Sequence, residues 1–367
     1  MKIVHLYKDF DPPVHGGIER HVALMCAYQR EWAEVEALTC SRSWRTRRLQ
    51  RDGVWVTEVG EWGRFQSAPV SPAYPWRMRR LRADVLVAHA PNPTTELGYL
   101  LARPRGALVV RYHSDVVRQA AAMRIYGPIQ MHFLRKAAMI LPTSDRYAAT
   151  SPVLQAVRDA CRAVPLGIRT EEFAAPSPDA VDRVRRSHGG SFVFFAGRHR
   201  YYKGLDVLVR AARAVNAAVV IAGDGPERPR IEALARELEA PVTFTGTLSQ
   251  EDLVAHLHAC ELFVFPSIAR SEAFGMALLE AHACGKPAVA TALGTGVEFA
   301  NLDGETGRNV PPGDPDALAG AVNALLADGA LRARMGAFAK ERVERDFHAR
   351  TVARREFELY CEAAGRA

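Results

Sequence analysis

No stretch of this 367-residue chain stays apolar over the roughly 18 to 20 residues that a membrane-spanning helix needs, so the sequence predicts no such helix. The first residues, Met1-Lys2-Ile3-Val4-His5-Leu6-Tyr7, read as a short apolar strand followed by Lys8-Asp9. They lack the apolar h-region and small-residue cleavage site of a secretory signal. Cysteine is sparse and scattered: Cys26, Cys40, Cys161, Cys260, Cys284 and Cys361 form no CxxC pair and no framework spacing. They read as reduced, mostly buried small apolar residues, and the expectation is a cytoplasmic protein. Internal repeats and low-complexity tracts are absent, which excludes solenoids and long disordered arms.

What is present is the composition of a soluble globular protein, 48% apolar and 24% charged, in a chain long enough for two cores. The net charge of +7 is unevenly spread. Arg42, Arg45, Arg47, Arg48, Arg51, Arg64, Arg77, Arg79, Arg80 and Arg82 crowd one stretch, and Trp32, Trp44, Trp55, Trp62 and Trp76 fall in or beside it. Arginine interleaved with tryptophan over residues 42–82 suits an anionic membrane surface or an anionic acceptor; the same residues also fit a solvated arginine-rich loop. No recognition motif accompanies the charge, so nucleic acid is not expected as a partner.

Short β-branched runs alternate with helical stretches from end to end, starting with Lys2–Leu6, Asp84–His89, Ala107–Tyr112 and Ala138–Pro142. They resume at Phe192–Ala196, Ala218–Ala222, Pro241–Thr245, Glu261–Pro266 and Pro287–Thr291. Continuous apolar strands separated by helices predict parallel sheets covered on both faces. Helices are expected over Leu205–Ala214, Pro226–Leu238 with Pro226 as its first residue, Ser249–Cys260 capped by Ser249 with Asp252, and Asp316–Ala327. The fold class expected is α/β, two Rossmann-like doubly wound domains facing a central crevice. Their expected bounds are 1–170, a linker at 171–190 marked by Pro176-Ser177-Pro178 and Gly189-Gly190, and 191–345. A final helical segment, 346–367, completes the chain.

Two constellations carry chemistry. In Gly197-Arg198-His199-Arg200-Tyr201-Tyr202-Lys203-Gly204 a strand runs through a basic loop into a helix start. Arg198 can grip phosphate oxygens as a fork and Lys203 as a point charge, although a basic loop of this kind is equally at home in solvent. In Ser271-Glu272-Ala273-Phe274-Gly275-Met276-Ala277-Leu278-Leu279-Glu280 two carboxylates stand eight positions apart across a loop-to-helix junction. Backbone N–H groups near Phe274 and Gly275 would sit at a helix N-terminus, suited to phosphate. Glu280 could accept hydrogen bonds from both hydroxyls of a ribose; the bland alternative is an ordinary exposed helix residue.

These residues resemble the retaining GT-B glycosyltransferases of family 4. Glu272…Glu280 followed by Ala281-His282-Ala283-Cys284-Gly285-Lys286-Pro287 looks like the family signature. Around it, in the family's order, stand Gly16-Gly17-Ile18-Glu19-Arg20, Val164-Pro165-Leu166-Gly167-Ile168, Gly197-Arg198 with Lys203-Gly204, Ala222-Gly223-Asp224-Gly225-Pro226 and Phe244-Thr245-Gly246. The resemblance spans nearly the whole chain. It implies that Arg198 and Lys203 neutralise the donor diphosphate, Glu280 holds the ribose, and Glu272 contacts hydroxyls of the transferred sugar. Gly16 and Gly17 would allow close approach of the backbone to phosphates or acceptor. Gly197, Gly223, Gly246 and Thr247 would line the base side, and Phe274, Gly275 and Met276 would offer backbone groups to the phosphates. His113, in Arg111-Tyr112-His113-Ser114-Asp115, matches the family's active-site histidine and would hydrogen-bond the donor sugar or reacting centre. Asp346-Phe347-His348 would mark the crossing of the last helix back to the first domain.

The resemblance further implies a retaining reaction with front-face departure, in which the leaving phosphate helps deprotonate the acceptor and no protein nucleophile is needed. No Asp-x-Asp motif is placed for diphosphate binding, and His256 and His258 point to different helix faces, so no cofactor and no metal are expected. The sequence departs from the common pattern at Gly294-Thr295-Gly296-Val297-Glu298, where two adjacent glycines are usual. With His89-Ala90-Pro91-Asn92-Pro93 this suggests bacterial polysaccharide mannosyltransferases, with GDP-mannose or a UDP-sugar as donor and a glycan or lipid-linked acceptor. The competing readings are a sugar-nucleotide epimerase or hydrolase of the same fold, and a non-catalytic nucleotide-sugar-binding scaffold. A dinucleotide dehydrogenase is weaker still, because Gly223-x-Gly225 lacks the third glycine.

Overall fold

A computed structural model describes residues 1–14, 16–65, 68–116 and 120–365. The chain divides into two compact units, Met1–Gly167 with Ala349–Ala367, and Ile168–His348. The breaks therefore fall inside the segment Val164–Ile168 and just after Asp346-Phe347-His348. Residues 171–190 are not a linker: they carry a 3-10 turn, Thr170–Phe173, and a helix, Pro178–Ser187, within the second unit. Gly189 and Gly190 punctuate the end of that helix rather than a domain boundary. Residues 66, 67, 366 and 367 of the expected arginine/tryptophan and C-terminal segments lie outside the described residues.

Among the described residues the first unit carries nine strands: β1 (Lys2–Leu6), β2 (Glu34–Ser41), β3 (Arg47–Arg51), β4 (Val54–Gly60), β5 (Gly63–Phe65), β6 (Ala68–Val70), β7 (Arg82–Ala90), β8 (Arg105–Tyr112) and β9 (Met139–Pro142). Seven of them form one sheet in the order β3-β4-β2-β1-β7-β8-β9, parallel except for the β3–β4 pair, and β5 and β6 form a separate ribbon. Ile3, Val85, Val87 and Val109 pack from the strands onto Val22 and Met25 of the helix Gly17–Gln29. Ala349, Val352, Ala353 and Tyr360 of the C-terminal helix Ala349–Ala363 join the same core. The last helix thus completes the first unit's core rather than serving as a tail.

The second unit carries β10 (Phe192–Ala196), β11 (Ala218–Ala222), β12 (Val242–Gly246), β13 (Leu262–Phe265), β14 (Ala288–Thr291) and β15 (Gly307–Val310) in the order β12-β11-β10-β13-β14-β15, all parallel. Ser249 caps the helix Gln250–Ala259 by accepting from the Asp252 N–H at 3.0 Å while its hydroxyl donates to the Asp252 carboxylate at 2.7 Å. The helix expected to open at Pro226 begins instead at Arg228, with Pro229 in its first turn. Gly225 packs against the His199 carbonyl, and its own carbonyl accepts from the Arg228 N–H at 3.0 Å, so Pro226 and Glu227 form a turn ahead of the helix. Among the described residues no helix is long and apolar enough to cross a membrane.

Candidate active site

Each sheet has a point where the strand order reverses, between β1 and β7 in the first and between β10 and β13 in the second. Loops leaving the C-terminal ends of the strands on either side of such a point diverge and open a crevice for ligands. In the second unit the loop after β10 is the basic one, and the loop after β13 carries Glu272. The structure brings their key residues together: Lys203 Nζ lies 2.6 Å from Glu272 Oε2. The two loops are also laced by Ile268 N–H to the Tyr202 carbonyl at 2.8 Å and by the Tyr201 and Ser271 hydroxyls at 2.9 Å.

Lys203 is tucked over the Phe265 ring, 4.6 Å from its centroid. Burial alone would lower its pKa, but Glu272, Tyr202 and Glu280 outweigh that and hold it above the ordinary lysine value. The ammonium is therefore a fixed cation. Glu272 also accepts from the Ser267 hydroxyl at 3.2 Å, and its own carbonyl accepts from Thr295 Oγ1 at 2.9 Å. Thr295 is fully buried, so the residue that departs from the two-glycine pattern is the one that pins the Glu272 loop. Glu280 is half-buried on the helix Met276–Ala283.

That helix starts at Gly275, whose φ of 90° lies in the left-handed region and whose α-carbon faces Leu278 and the Phe265 ring. A side chain there would be strained and would collide. Phe274 is 2% exposed and packs against Phe347 at a centroid distance of 6.0 Å, so it can offer a ligand backbone only. Met276 is half-buried. Gly197, Gly223 and Gly246 end the adjacent strands β10, β11 and β12 side by side. Gly197 N–H donates to the Ala222 carbonyl at 3.2 Å and Gly223 N–H to the Gly246 carbonyl at 2.7 Å. At Gly223, with φ of 115°, a Cβ would drive into the Gly197 carbonyl oxygen. Gly223 thus lets two strand ends close to backbone contact, while the space beside Gly197 and Gly246 is met by the side chains of Phe195 and Lys203 and of Arg228. Thr247 is exposed beyond Gly246. Arg198 is exposed too and makes no ion pair among the described residues, so the structure separates the environments of the two cations expected to act together.

In the first unit Gly16 and Gly17 open the helix Gly17–Gln29 after β1, the glutamate Glu19 curling back over Gly16. Among the described residues, its chain neighbours and its own helix backbone aside, nothing lies within 4 Å of a Cβ placed on Gly17. His113 follows β8 and is 4% exposed, with Nε2 2.9 Å from His89 Nδ1. Asp9, of the sequence Asp9-Phe10-Asp11, is clamped by Arg64 through two contacts of 2.7 Å. His256 and His258 do part company, His256 turning to His188 at 3.2 Å and His258 to the Phe173 carbonyl at 3.0 Å. A different group, His21, His89 and His113, has ring nitrogens within 4.8 Å of one another and could hold a metal. Sequence reasoning missed it, along with His5, Gln29 and Glu356; the available signal was a histidine in each of two otherwise apolar strand stretches, residues 3–6 and 85–90.

Two α/β units with parallel sheets and loop-built sites at their switch points define the GT-B class of nucleotide-sugar enzymes. The family model for glycosyl transferases group 1 matches residues 179–342, and that for a glycosyl transferase 4-like domain matches residues 16–167. The chain is 34% identical over 356 residues to the O-antigen chain mannosyltransferase C of Escherichia coli, covering 95% of each chain. It is 34% identical over 353 residues to the D-rhamnosyltransferase WbpZ of Pseudomonas aeruginosa, covering 95% of this chain and 93% of that one. Among solved structures, sucrose-phosphate synthase from Thermosynechococcus elongatus superposes with a TM-score of 0.83 at 22% identity, over 100% of both chains. HepE from Anabaena in complex with UDP and glucose gives a TM-score of 0.77 at 19% identity, over 99% of this chain and 100% of that one. The chain belongs to the group 1, family 4 glycosyltransferases and is a glycosyltransferase.

Proposed function

We propose that the protein is a retaining hexosyltransferase that moves mannose from a nucleoside diphosphate donor, GDP-mannose before any UDP-sugar, to a glycan or lipid-linked acceptor in polysaccharide assembly. The observation that carries the donor site is the Lys203–Glu272 contact of 2.6 Å at the second sheet's switch point. On donor binding the diphosphate takes over Lys203, and Glu272 is released to hydroxyls of the sugar. Arg198, exposed and unpaired with any carboxylate, closes on the same phosphates. Glu280 accepts from the ribose. Gly197, Gly223, Gly246 and Thr247 border the base, and the N–H groups at Phe274, Gly275 and Met276 meet the phosphates. His113, Gly16 and Gly17 serve the transferred sugar and acceptor. The leaving phosphate itself takes the acceptor proton, so no side chain acts as nucleophile and no metal is required. The mannose assignment is supported by the likeness to the O-antigen chain mannosyltransferase C of Escherichia coli over 95% of the chain; the equally similar D-rhamnosyltransferase WbpZ leaves another hexose as the alternative.

A thermal-shift screen against UDP, GDP, ADP and their sugar conjugates tests this directly. Selective stabilisation by GDP and GDP-mannose, followed by transfer that survives EDTA, is expected. Stabilisation by UDP alone would replace the donor, and loss of turnover with EDTA would overturn metal independence.

The acceptor reading extends to the membrane. Trp44 and Trp62 are 74% and 81% exposed in loops following β2 and β4, and Arg45 lies 4.9 Å from the Trp44 ring. Arg47 and Arg51 are occupied by Glu58, and Arg64 by Asp9 and Glu61, so only part of the basic stretch is free. Residues 42–82 supply a peripheral contact with an anionic inner membrane face. Flotation with anionic liposomes at low and high salt is expected to carry the protein up at low salt; no binding at either would remove the membrane from the reading.

A further inference from the structure

Behind His113 the first sheet carries a chain of side-chain hydrogen bonds reaching the C-terminal helix. The strand register explains how it assembles. His5 of β1 stands opposite Val87 of β7, and His89 opposite Arg111 of β8. Paired residues share a face, as do residues two apart in a strand. His5, His89, Arg111 and His113 therefore all project to the face covered by Gly17–Gln29 and Ala349–Ala363.

There His5 Nδ1 lies 3.0 Å from His89 Nε2, His89 Nδ1 lies 2.9 Å from His113 Nε2, and His5 Nε2 lies 2.9 Å from Gln29 Oε1. The Gln29 amide nitrogen donates to Glu356 Oε2 at 3.3 Å. Glu356 also accepts from the Tyr360 hydroxyl at 2.8 Å and pairs with Arg111 Nε at 3.1 Å. Burial would raise the Glu356 pKa, but Arg111, with His21, holds it at about 2, so the group is a carboxylate. A carboxylate only accepts. The Gln29 nitrogen must face it, and the Gln29 oxygen must face His5.

From that fixed end the polarity propagates. Burial holds His5 at about 4 and drives His89 and His113 well below the ordinary imidazole value, so each ring is neutral with one donor and one acceptor nitrogen. His5 Nε2–H donates to Gln29, His89 Nε2–H to His5, and His113 Nε2–H to His89. One atom is left over: His113 Nδ1, a buried lone pair with no partner among the described residues.

We propose that Glu356, Gln29, His5 and His89 are a positioning relay that locks His113 as its Nε2–H tautomer, leaving Nδ1 to accept a hydrogen bond from a hydroxyl of the sugar in transfer. The relay rests on the reading of His113 as a site residue and adds what that reading lacks: which ring nitrogen faces substrate, and what dictates it. A buried acceptor without a donor is costly, and the arriving hydroxyl removes that cost. The rival use of the same histidines, a cation held by His21, His89 and His113, needs a lone pair from every ring. His89 has both nitrogens engaged in the relay, and the Arg111 guanidinium, on the same face, repels a cation.

Histidine side-chain nitrogen NMR of the full-length protein at neutral pH tests the assignment without recourse to activity, with signals assigned by their loss in His5→Asn, His89→Asn and His113→Asn. All three rings are expected as neutral Nε2–H tautomers. A His113 found as Nδ1–H or as imidazolium, or stoichiometric zinc in the purified protein, would overturn the relay. Kinetics supply the second arm. His89→Phe removes the acceptor of His113 and is expected to lower kcat about 10-fold at nearly unchanged donor KM. His89→Gln offers an amide oxygen to His113 and an amide nitrogen to His5, and should recover most of the loss. A folded His89→Phe with full kcat and an unaltered His113 tautomer sinks the proposal. Full activity in His113→Ala would instead sink the site reading of His113, while the tautomer measurement still decides the relay.

Discussion

The two units place polar groups at comparable points of comparable sheets, yet with opposite electrostatics. The first unit surrounds His113 with neutral histidines and one ion pair, Arg111–Glu356, whose side chains are 0% exposed. The second sets a charged pair, Lys203–Glu272, with side chains 11% exposed, at a sheet whose adjacent strands end in glycines. A fully buried pair fixes geometry: Arg111 also donates to the carbonyls of Leu141 at 2.9 Å, Val164 at 2.7 Å and Pro165 at 2.8 Å, tying β9 to the segment that ends the first unit. A pair at a crevice is an exchangeable one, in which a diphosphate can replace the carboxylate. The contrast separates charge that organises the fold from charge that, in the proposed function, meets the substrate.

The sharpest way to break that contrast is to remove the anionic end of the buried pair. Glu356→Ala leaves the Arg111 guanidinium without a counter-charge and Gln29 and Tyr360 without an acceptor. We expect a loss of about 3–5 kcal/mol in urea unfolding, because an uncompensated buried charge is among the most costly defects. A loss below about 1 kcal/mol would place the pair with ordinary surface bridges. Lys203→Ala is the next largest effect and falls on the other side of the contrast. Turnover should drop at least ~100-fold while the melting temperature moves by a few degrees, since the lost interaction is with charge developing on the leaving diphosphate. Near-normal turnover, or a stability loss as large as that of Glu356→Ala, would make Lys203 a structural residue.

Much of the second unit's proposed site is legible in the sequence because its candidate residues cluster along the chain. Glu272 and Glu280 straddle one helix start, and Arg198 and Lys203 share one loop, so spacing alone points to them. The glycines at strand ends are legible for the same reason. The first unit's network is spread over residues 5, 29, 89, 111, 113 and 356, and only sheet register and a returning helix bring these together. Single histidines in apolar strand stretches were the sole local trace. The misplaced linker has a physical cause as well: Pro176-Ser177-Pro178 reads as a break, but Ser177 caps and Pro178 opens an ordinary helix. Proline at the first position of a helix and proline in a linker look alike until the packing is seen.

Acid sharpens the contrast with the smallest perturbation. In the first unit burial lowers the pKa of His5, His21, His89 and His113, each from an ordinary value of 6.5. As pH falls below that value the unfolded chain takes up protons that the folded unit refuses, so stability declines through the window down to the folded pKa, about 4 for His5. Glu356 acts in a separate, lower window. Its folded pKa of about 2 lies below the ordinary 4.5, so its contribution is complete above 4.5 and is lost only as pH falls toward 2. Above pH 5 the histidines therefore act without Glu356, opposed by Glu19 and Glu96, whose pKa burial raises above the ordinary 4.5 so that they take up protons earlier in the folded unit. The second unit buries His199, His256 and His282; burial lowers the pKa of His199 and His282 and of the partly covered His188 and His258, but drives none of them as far down as His89 and His113. Hydrogen exchange on β1, β7 and β8 should thus lose on the order of 2 kcal/mol more opening free energy between pH 7 and 5 than exchange on β10, β11 and β13. Equal losses in the two sheets would mean that the first unit's histidines take up protons while folded. The neutral network would then be no different in kind from the charged site of the second.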